Sequence, residues 1–231
     1  MGASDENPAE AILRRSAWLE GRHELVAPIL AHGRVVRLLP GQWAQAEGDD
    51  EAGVLVVLSG TLELYCKAPG DREVRIGQAG PGVALGQTVR FGGGPRLLTA
   101  ICRDAATVLQ VSDRALSRIA QDAPRIWEAV AALLYLQLRN LLHMVAQLTA
   151  LPPRARLAAR LGLLAAGAQG RPLGVSQEAL GEMVGLTRKT VNAHLGAFER
   201  DGLIRRRYGG VEILDARGLR RVAEAPATDA S

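Results

Sequence analysis

The chain has only two cysteines in 231 residues, Cys66 and Cys102. So far apart, they cannot by themselves supply a zinc finger or a cysteine-ligated cluster. No basic pair flanks either one to mark a reactive thiol. Each reads as a small buried hydrophobe in a strand. No unbroken apolar run reaches the length that spans a bilayer, so no membrane partner is expected. The N-terminus, MGASDENPAE, is acidic and polar and lacks the basic and apolar regions of a secretory signal. The expected compartment is the cytoplasm. No nucleophile–base pair, no paired carboxylates and no metal-ligand spacing stand out, so catalysis is not expected. Gly92-Gly93-Gly94 lacks the Lys and Ser/Thr of a phosphate loop and reads as a turn.

What the chain does have is a lopsided charge. Residues 152–223 carry 13 Lys+Arg against 6 Asp+Glu, a net of +7, while the remainder carries 15 against 18, a net of −3. A basic C-terminal third on an acidic body is the footprint of a domain that meets a polyanion.

Within that third, SQEALGEMVGLTRKTVNAHLGAFERDGLI (176–204) reads as two helices about a tight turn. Gly185 sits where positive φ is needed. Ala179, Leu180, Met183 and Val184 mark the buried face of the first helix. Leu186, Val191, Leu195 and Phe198 mark that of the second, and Thr187 is placed to N-cap it. The remaining face carries Arg188, Lys189 and Asn192. Arg pairs with guanine edges and Asn with adenine. A structural αα-corner would share the two-helix pattern, so the hairpin that follows matters. Ile204–Arg206 and Val211–Leu214 read as strands about Tyr208-Gly209-Gly210. Arg205, Arg206 and Arg207 would then be phosphate contacts of a wing, unless they are only a solvated charge run.

Upstream, residues 1 to about 10 read as disordered. Short helices are expected at Ala11–Leu19 and Glu24–Leu30. From Gly33 to Ser112, short β-rich runs alternate with Gly/Pro turns. Examples are Val35–Leu38, Val54–Leu58, Leu62–Cys66, Val74–Ile76 and Thr107–Val111. This texture predicts a β barrel or jelly roll. A long helix follows, from Ala123 to about Ala150, with Pro124 in its first turn. Trp127, Val130, Leu134, Leu138, Leu141, Val145 and Leu148 recur at a mean spacing of 3.5. That is the period of a coiled-coil seam and predicts a homodimer; a helix buried in its own chain is the alternative. Pro152-Pro153 ends it. Arg154–Ala166 reads as a further helix, Arg171–Val175 as a connector, and Asp215 to about Ala225 as a last helix.

This order of parts resembles the Crp–Fnr superfamily of bacterial transcription regulators over residues 11–220. Pro40-Gly41 with Glu47-Gly48, Val57-Leu58-Ser59-Gly60, Gly80-Pro81-Gly82 with Leu85-Gly86, and Gly202-Leu203-Ile204 stand in register with its motifs. The resemblance implies an α+β chain. It would comprise a cyclic-nucleotide-binding-like jelly-roll sensor (11–122), a dimerisation helix (123–151) and a winged helix-turn-helix (152–223). It places Arg188, Lys189 and Asn192 on the base-reading face, and Ser176, Gln177, Thr187 and Thr190 at phosphates. Ala193 stands where the family often has Arg, which implies a different operator. His194 reads as a phosphate or packing residue rather than a pH switch.

The resemblance also locates an effector pocket at Gly86, Gln87, Thr88, Arg96, Leu97, Leu98, Thr99, Leu141 and Leu142. Cyclic-AMP-binding members have Glu where Gln87 stands and Arg where Leu98 aligns. They also have a polar pair where Leu141-Leu142 stands. A phosphate buried against Leu without a cation is strongly unfavourable, so cyclic AMP is not the expected effector. Arg96 would serve only if the loop Phe91–Pro95 were repositioned. No N-terminal cysteines exist for an iron–sulfur cluster. Haem would have only His32, Cys66, Cys102 or His143, none in a motif. An apolar molecule, another nucleotide or no ligand remain.

The function expected is sequence-specific binding of double-stranded DNA by a homodimer at a pseudo-palindromic operator, with RNA polymerase a further partner of an activator. The contrasting reading is a ligand-binding or scaffold protein whose C-terminal domain contacts another protein.

Overall fold

The computed structural model describes residues 7–50, 52–87, 94–168 and 172–225. These fall into two compact units: residues up to Glu73 with Gly77–Arg139, and Val74–Ile76 with Asn140 onward.

The first unit opens with α1 (Pro8–Arg14), capped by the Asn7 side chain, and α2 (Val26–His32). Single 3-10 turns at Ala17–Leu19 and His23–Leu25 separate them. The helix expected to run through Leu19 therefore stops five residues sooner. The Ser16 hydroxyl donates to the Ile12 carbonyl and to that of Gly82, an alternative to a further helical turn.

Among the described residues eight strands follow: β1 (Arg34–Leu38), β2 (Trp43–Gln45), β3 (Gly53–Ser59), β4 (Leu62–Ala68), β5 (Arg72–Ala79), β6 (Ala84–Gln87), β7 (Thr99–Cys102) and β8 (Ala106–Ser112). They form two four-stranded sheets, ordered β1-β8-β3-β6 and β2-β7-β4-β5. β3 explains its own unbroken apolar run. Val54 and Val56 face the helices on one side, while Leu55 and Val57 face the other sheet. A strand covered on both faces needs no polar alternation. β2, β6 and β7 carry no clear period and are not among the runs named from the sequence.

α3 (Asp113–Asp122) is capped by Ser112. α4 (Ile126–Ala150) then begins after Pro124, which lies in the preceding turn and not inside the helix. By length and composition α4 is apolar enough to cross a membrane. That corrects the expectation drawn from unbroken runs, since Arg139, Asn140 and His143 interrupt the run without making the helix polar.

The second unit holds α5 (Pro153–Ala168), α6 (Gln177–Val184), α7 (Arg188–Arg200), β9 (Ile204–Arg207), β10 (Gly210–Ile213) and α8 (Ala216–Glu224). Its core is Leu157, Leu161, Leu180, Val191, Leu195, Phe198, Ile204, Val211 and Leu219. The connector before α6 joins that fold through Leu173, whose N–H and C=O both pair with Val211.

Candidate nucleic-acid interface

Two glycines make the turn between α6 and α7. Gly185 takes the left-handed conformation, φ 64° and ψ 39°, and closes α6. Gly181 is one turn earlier. A Cβ there would lie 2.5 Å from the Leu186 carbonyl oxygen, so only hydrogen fits where the chain doubles back. The turn position read from the sequence is Gly185 alone. An isolated Gly inside a helical pattern was the signal for Gly181.

Both helices are capped as their sequence dictates. Ser176 Oγ accepts from the Ala179 N–H at 3.1 Å, and Thr187 Oγ1 from the Thr190 N–H at 3.1 Å. The Thr187 and Thr190 hydroxyls also lie 2.9 Å apart. These oxygens therefore accept from the helix starts. Ser176 and Thr187 can meet a phosphate through backbone N–H groups and the positive end of the helix, and an accepting hydroxyl still has its own proton to donate.

α7 buries Val191, Leu195 and Phe198 and leaves Arg188, Lys189 and Asn192 exposed on one side. The wing follows directly. β9 and β10 pair antiparallel, with Arg205 opposite Glu212, Arg206 opposite Val211 and Arg207 opposite Gly210. All three arginines are exposed, and each has a carboxylate partner. Arg207 donates to Glu212 at 2.7 Å and Arg205 lies 3.6 Å from it. Arg206 reaches Glu199 on α7 at 2.6 Å. Glu199 escaped the sequence reading, because an acid in a basic domain resembles ordinary charge balance. The Arg206 backbone N–H, then its guanidinium, hold the Glu199 carboxyl below its usual range. Exposed ion pairs of this kind are worth little in water, so the outer two arginines can exchange Glu212 for phosphate at little cost.

Gln177 and Asn192 are joined, Gln177 Nε2 donating to Asn192 Oδ1 at 3.2 Å. His194 is half-buried on α7. Burial first, then Arg154, holds its pKa below the ordinary value, which favours the neutral ring. Arg154 itself packs over the Phe198 ring and bonds Asp201 at 2.8 Å. Arg156 ties the end of α6 in place through the Val184 carbonyl.

Of the expected sensor residues, the described ones from Gly86 to Thr99 belong to the first unit and Leu141 and Leu142 to the second. Thr88 and most of the loop Phe91–Pro95 lie outside the described residues. Gly86 and Gln87 pair with Val54 and Gly53 in the ladder of β6. Gly86 sits against Leu133, with no room for a Cβ, and the Gln137 amide can pair with both its N–H and its C=O. Gln137 was not foreseen. Arg96 donates to the Gly53 carbonyl at 3.0 Å. Leu97 is 74% exposed, so it does not line an enclosed pocket. Thr99 is buried and accepts from the Glu47 N–H. Of the haem candidates, His32 and His143 are exposed and Cys66 is half-buried. The Cys102 thiol is buried and donates to the Asp104 carbonyl. Burial raises the pKa of both thiols.

The seam residues of α4 divide. Val130 is fully buried in the core of its own chain, and Trp127 and Leu134 pack against that core. Val130 thus serves the intrachain alternative rather than the seam. Beyond it Leu138, Leu141, Leu142 and Val145 are about half exposed, and Tyr135 more so. Leu148 is intermediate.

Comparison with known proteins bears on both units. Residues 35–123 match the cyclic nucleotide-binding domain, and residues 155–222 match the Crp-like helix-turn-helix domain. The chain is 28% identical over 222 residues to the CRP-like cAMP-activated global transcriptional regulator of Mycobacterium tuberculosis, covering 93% of this chain and 99% of that one. Among solved structures it is similar to the c-di-GMP-responsive global regulator CLP of Xanthomonas campestris. There the TM-score is 0.65 at 25% identity, over 82% of this chain and 98% of the other. FixK2 of Bradyrhizobium japonicum shares the fold, with a TM-score of 0.72 at 18% identity, over 84% and 99%. A nucleotide-binding-type β-roll followed by a capped helix-turn-helix and a basic hairpin thus has its counterpart in proteins of one kind, and the chain belongs to the Crp–Fnr superfamily of transcription regulators.

Proposed function

We propose that the chain is a homodimer that reads a pseudo-palindromic DNA site, and that cyclic AMP is not its effector. The observation that carries the DNA reading is the exposed Arg188, Lys189 and Asn192 face of α7 beside three wing arginines. Residues 152–223 would form the DNA-binding part, 11–122 the sensor and 123–151 the helix that joins two copies. Two recognition helices would enter successive major grooves about 34 Å apart. The exposed leucines of α4 support the dimer, since a second copy of the same face would cover them. The same pairing accounts for an apolar helix without invoking a membrane. The dimer would work in the cytoplasm, where its operator is.

Against cyclic AMP stand Leu98, Leu141 and Leu142 at positions that need polar partners, and the engagement of Arg96 with Gly53. The Mycobacterium tuberculosis relative keeps cyclic AMP a fair candidate to test. Calorimetric titration with cyclic AMP should give no saturable heat; micromolar binding would overturn this part. For the DNA part, selection from a random pool by the purified protein should enrich a two-fold symmetric motif. Affinity that neither depends on salt nor favours any sequence would instead support the scaffold reading.

A further inference from the structure

The three wing arginines are consecutive but not equivalent. Successive residues of a strand face opposite ways. Ile204 and Val211 are buried, which fixes the inner face of the hairpin, and Arg206 shares that face with Ile204. Arg205 and Arg207 lie on the outer face and share one carboxylate, Glu212. Arg206 is held against α7 instead. Glu199 accepts from its backbone N–H at 2.8 Å and from its Nε at 2.6 Å. The carboxylate thus fastens the strand itself to the recognition helix as well as the side chain.

From there Arg206 Nη1 donates to Asn192 Oδ1 at 3.3 Å, the oxygen that also accepts from Gln177. Two donors converging on Oδ1 fix which way the Asn192 amide points, and leave its amino group for an outside acceptor. The outer pair of arginines with Glu212 carries a net positive charge. Arg206 with Glu199 carries none, so its attraction for phosphate is largely spent, whereas the Nη edge keeps the fork geometry that suits guanine O6 and N7.

We infer that Arg206 is a base-reading residue supplied by the wing, and that Glu199 is the positioning residue that holds it beside Asn192, so that hairpin and helix read adjacent bases together. This rests on the DNA-reading function proposed above. It assigns Arg206 to a guanine and the Asn192 amino group to the N7 or O6 of a neighbouring purine.

The test is competition binding of the full-length protein to its selected site and to every single-base variant of one half-site, at two salt concentrations. Arg206→Ala should cost about tenfold or more in discrimination at one position per half-site and leave the salt slope unchanged. Arg207→Ala should weaken all sequences alike and reduce the slope. Glu199→Gln keeps one acceptor oxygen for the strand N–H and replaces the other, which holds the guanidinium, by a donor, so the fold should survive, as a thermal melt will check. It should relax discrimination at the same position while raising affinity for unrelated DNA. In the Arg206→Ala background it should change discrimination no further, and Arg206→Lys should not restore it. A uniform loss with a smaller salt slope in Arg206→Ala would make the residue a phosphate contact and overturn the inference. So would an effect of Glu199→Gln on discrimination that persists in the Arg206→Ala background. A wild-type protein that selects no motif would overturn the DNA reading itself, a result distinct from either.

Discussion

Arg188 sits at the first position of α7, exposed and held by the cap at Thr187. If it reads a guanine, Arg188→Ala should cost about 1–3 kcal/mol at one base pair per half-site and spare unrelated DNA. Competition binding with single-base variants measures this, and an unchanged preference would remove Arg188 from the reading face. Gly185 carries a different burden. Alanine at its left-handed conformation should cost about 1–2 kcal/mol, seen as a lower melting temperature with no new base preference. His194 links the same helix to pH. Its folded pKa lies below 6.5, so the unfolded chain binds the proton first. Its contribution to stability is complete above pH 6.5 and is lost as pH falls through the lowered value. Melting curves from pH 8 to pH 5 should show that loss, and His194→Gln should flatten it.

The elements differ in what a sequence can tell about them. α6, α7 and the wing follow from local rules: a cap at Ser176, a cap at Thr187, a turn glycine and alternation through Arg206. They were legible nearly to the residue. The short strands β2, β6 and β7 were not, because their pairing is settled by partners distant in sequence. The seam of α4 was half legible. A spacing of 3.5 locates one apolar stripe but not what covers it, and the roll's own core takes Val130 while leaving Leu138, Leu141 and Val145 outside. Gly181, Gln137 and Glu199 were missed because each acts through a close approach or hydrogen bond that no spacing encodes. If the exposed half of α4 joins two copies, Leu138→Asp with Val145→Asp should yield a monomer by sedimentation. Its melting temperature should no longer rise with protein concentration. A variant that stayed dimeric would place the interface elsewhere.

At the scale of the whole molecule the charge asymmetry becomes a count. A basic third with net +7 on a body with net −3 confines counterion release to the DNA-binding surfaces, and their number doubles in a dimer. Each phosphate neutralised contributes about −0.9 to the slope of log affinity against log salt. Arg205 and Arg207 lie on the outer face of the wing, and both exchange Glu212 for phosphate in the reading given above. Replacing both by Ala should therefore make the slope shallower by about 1.8 per bound chain, or about 3.6 for a dimer with both wings engaged. Arg206→Ala in the same assay should move it little. A change near 3.6 would tie the wing assignment to the two-fold arrangement in one measurement. A change near 1.8 would mean that only one wing at a time meets the backbone, and no change at all would leave these arginines as a solvated run paired only with Glu212.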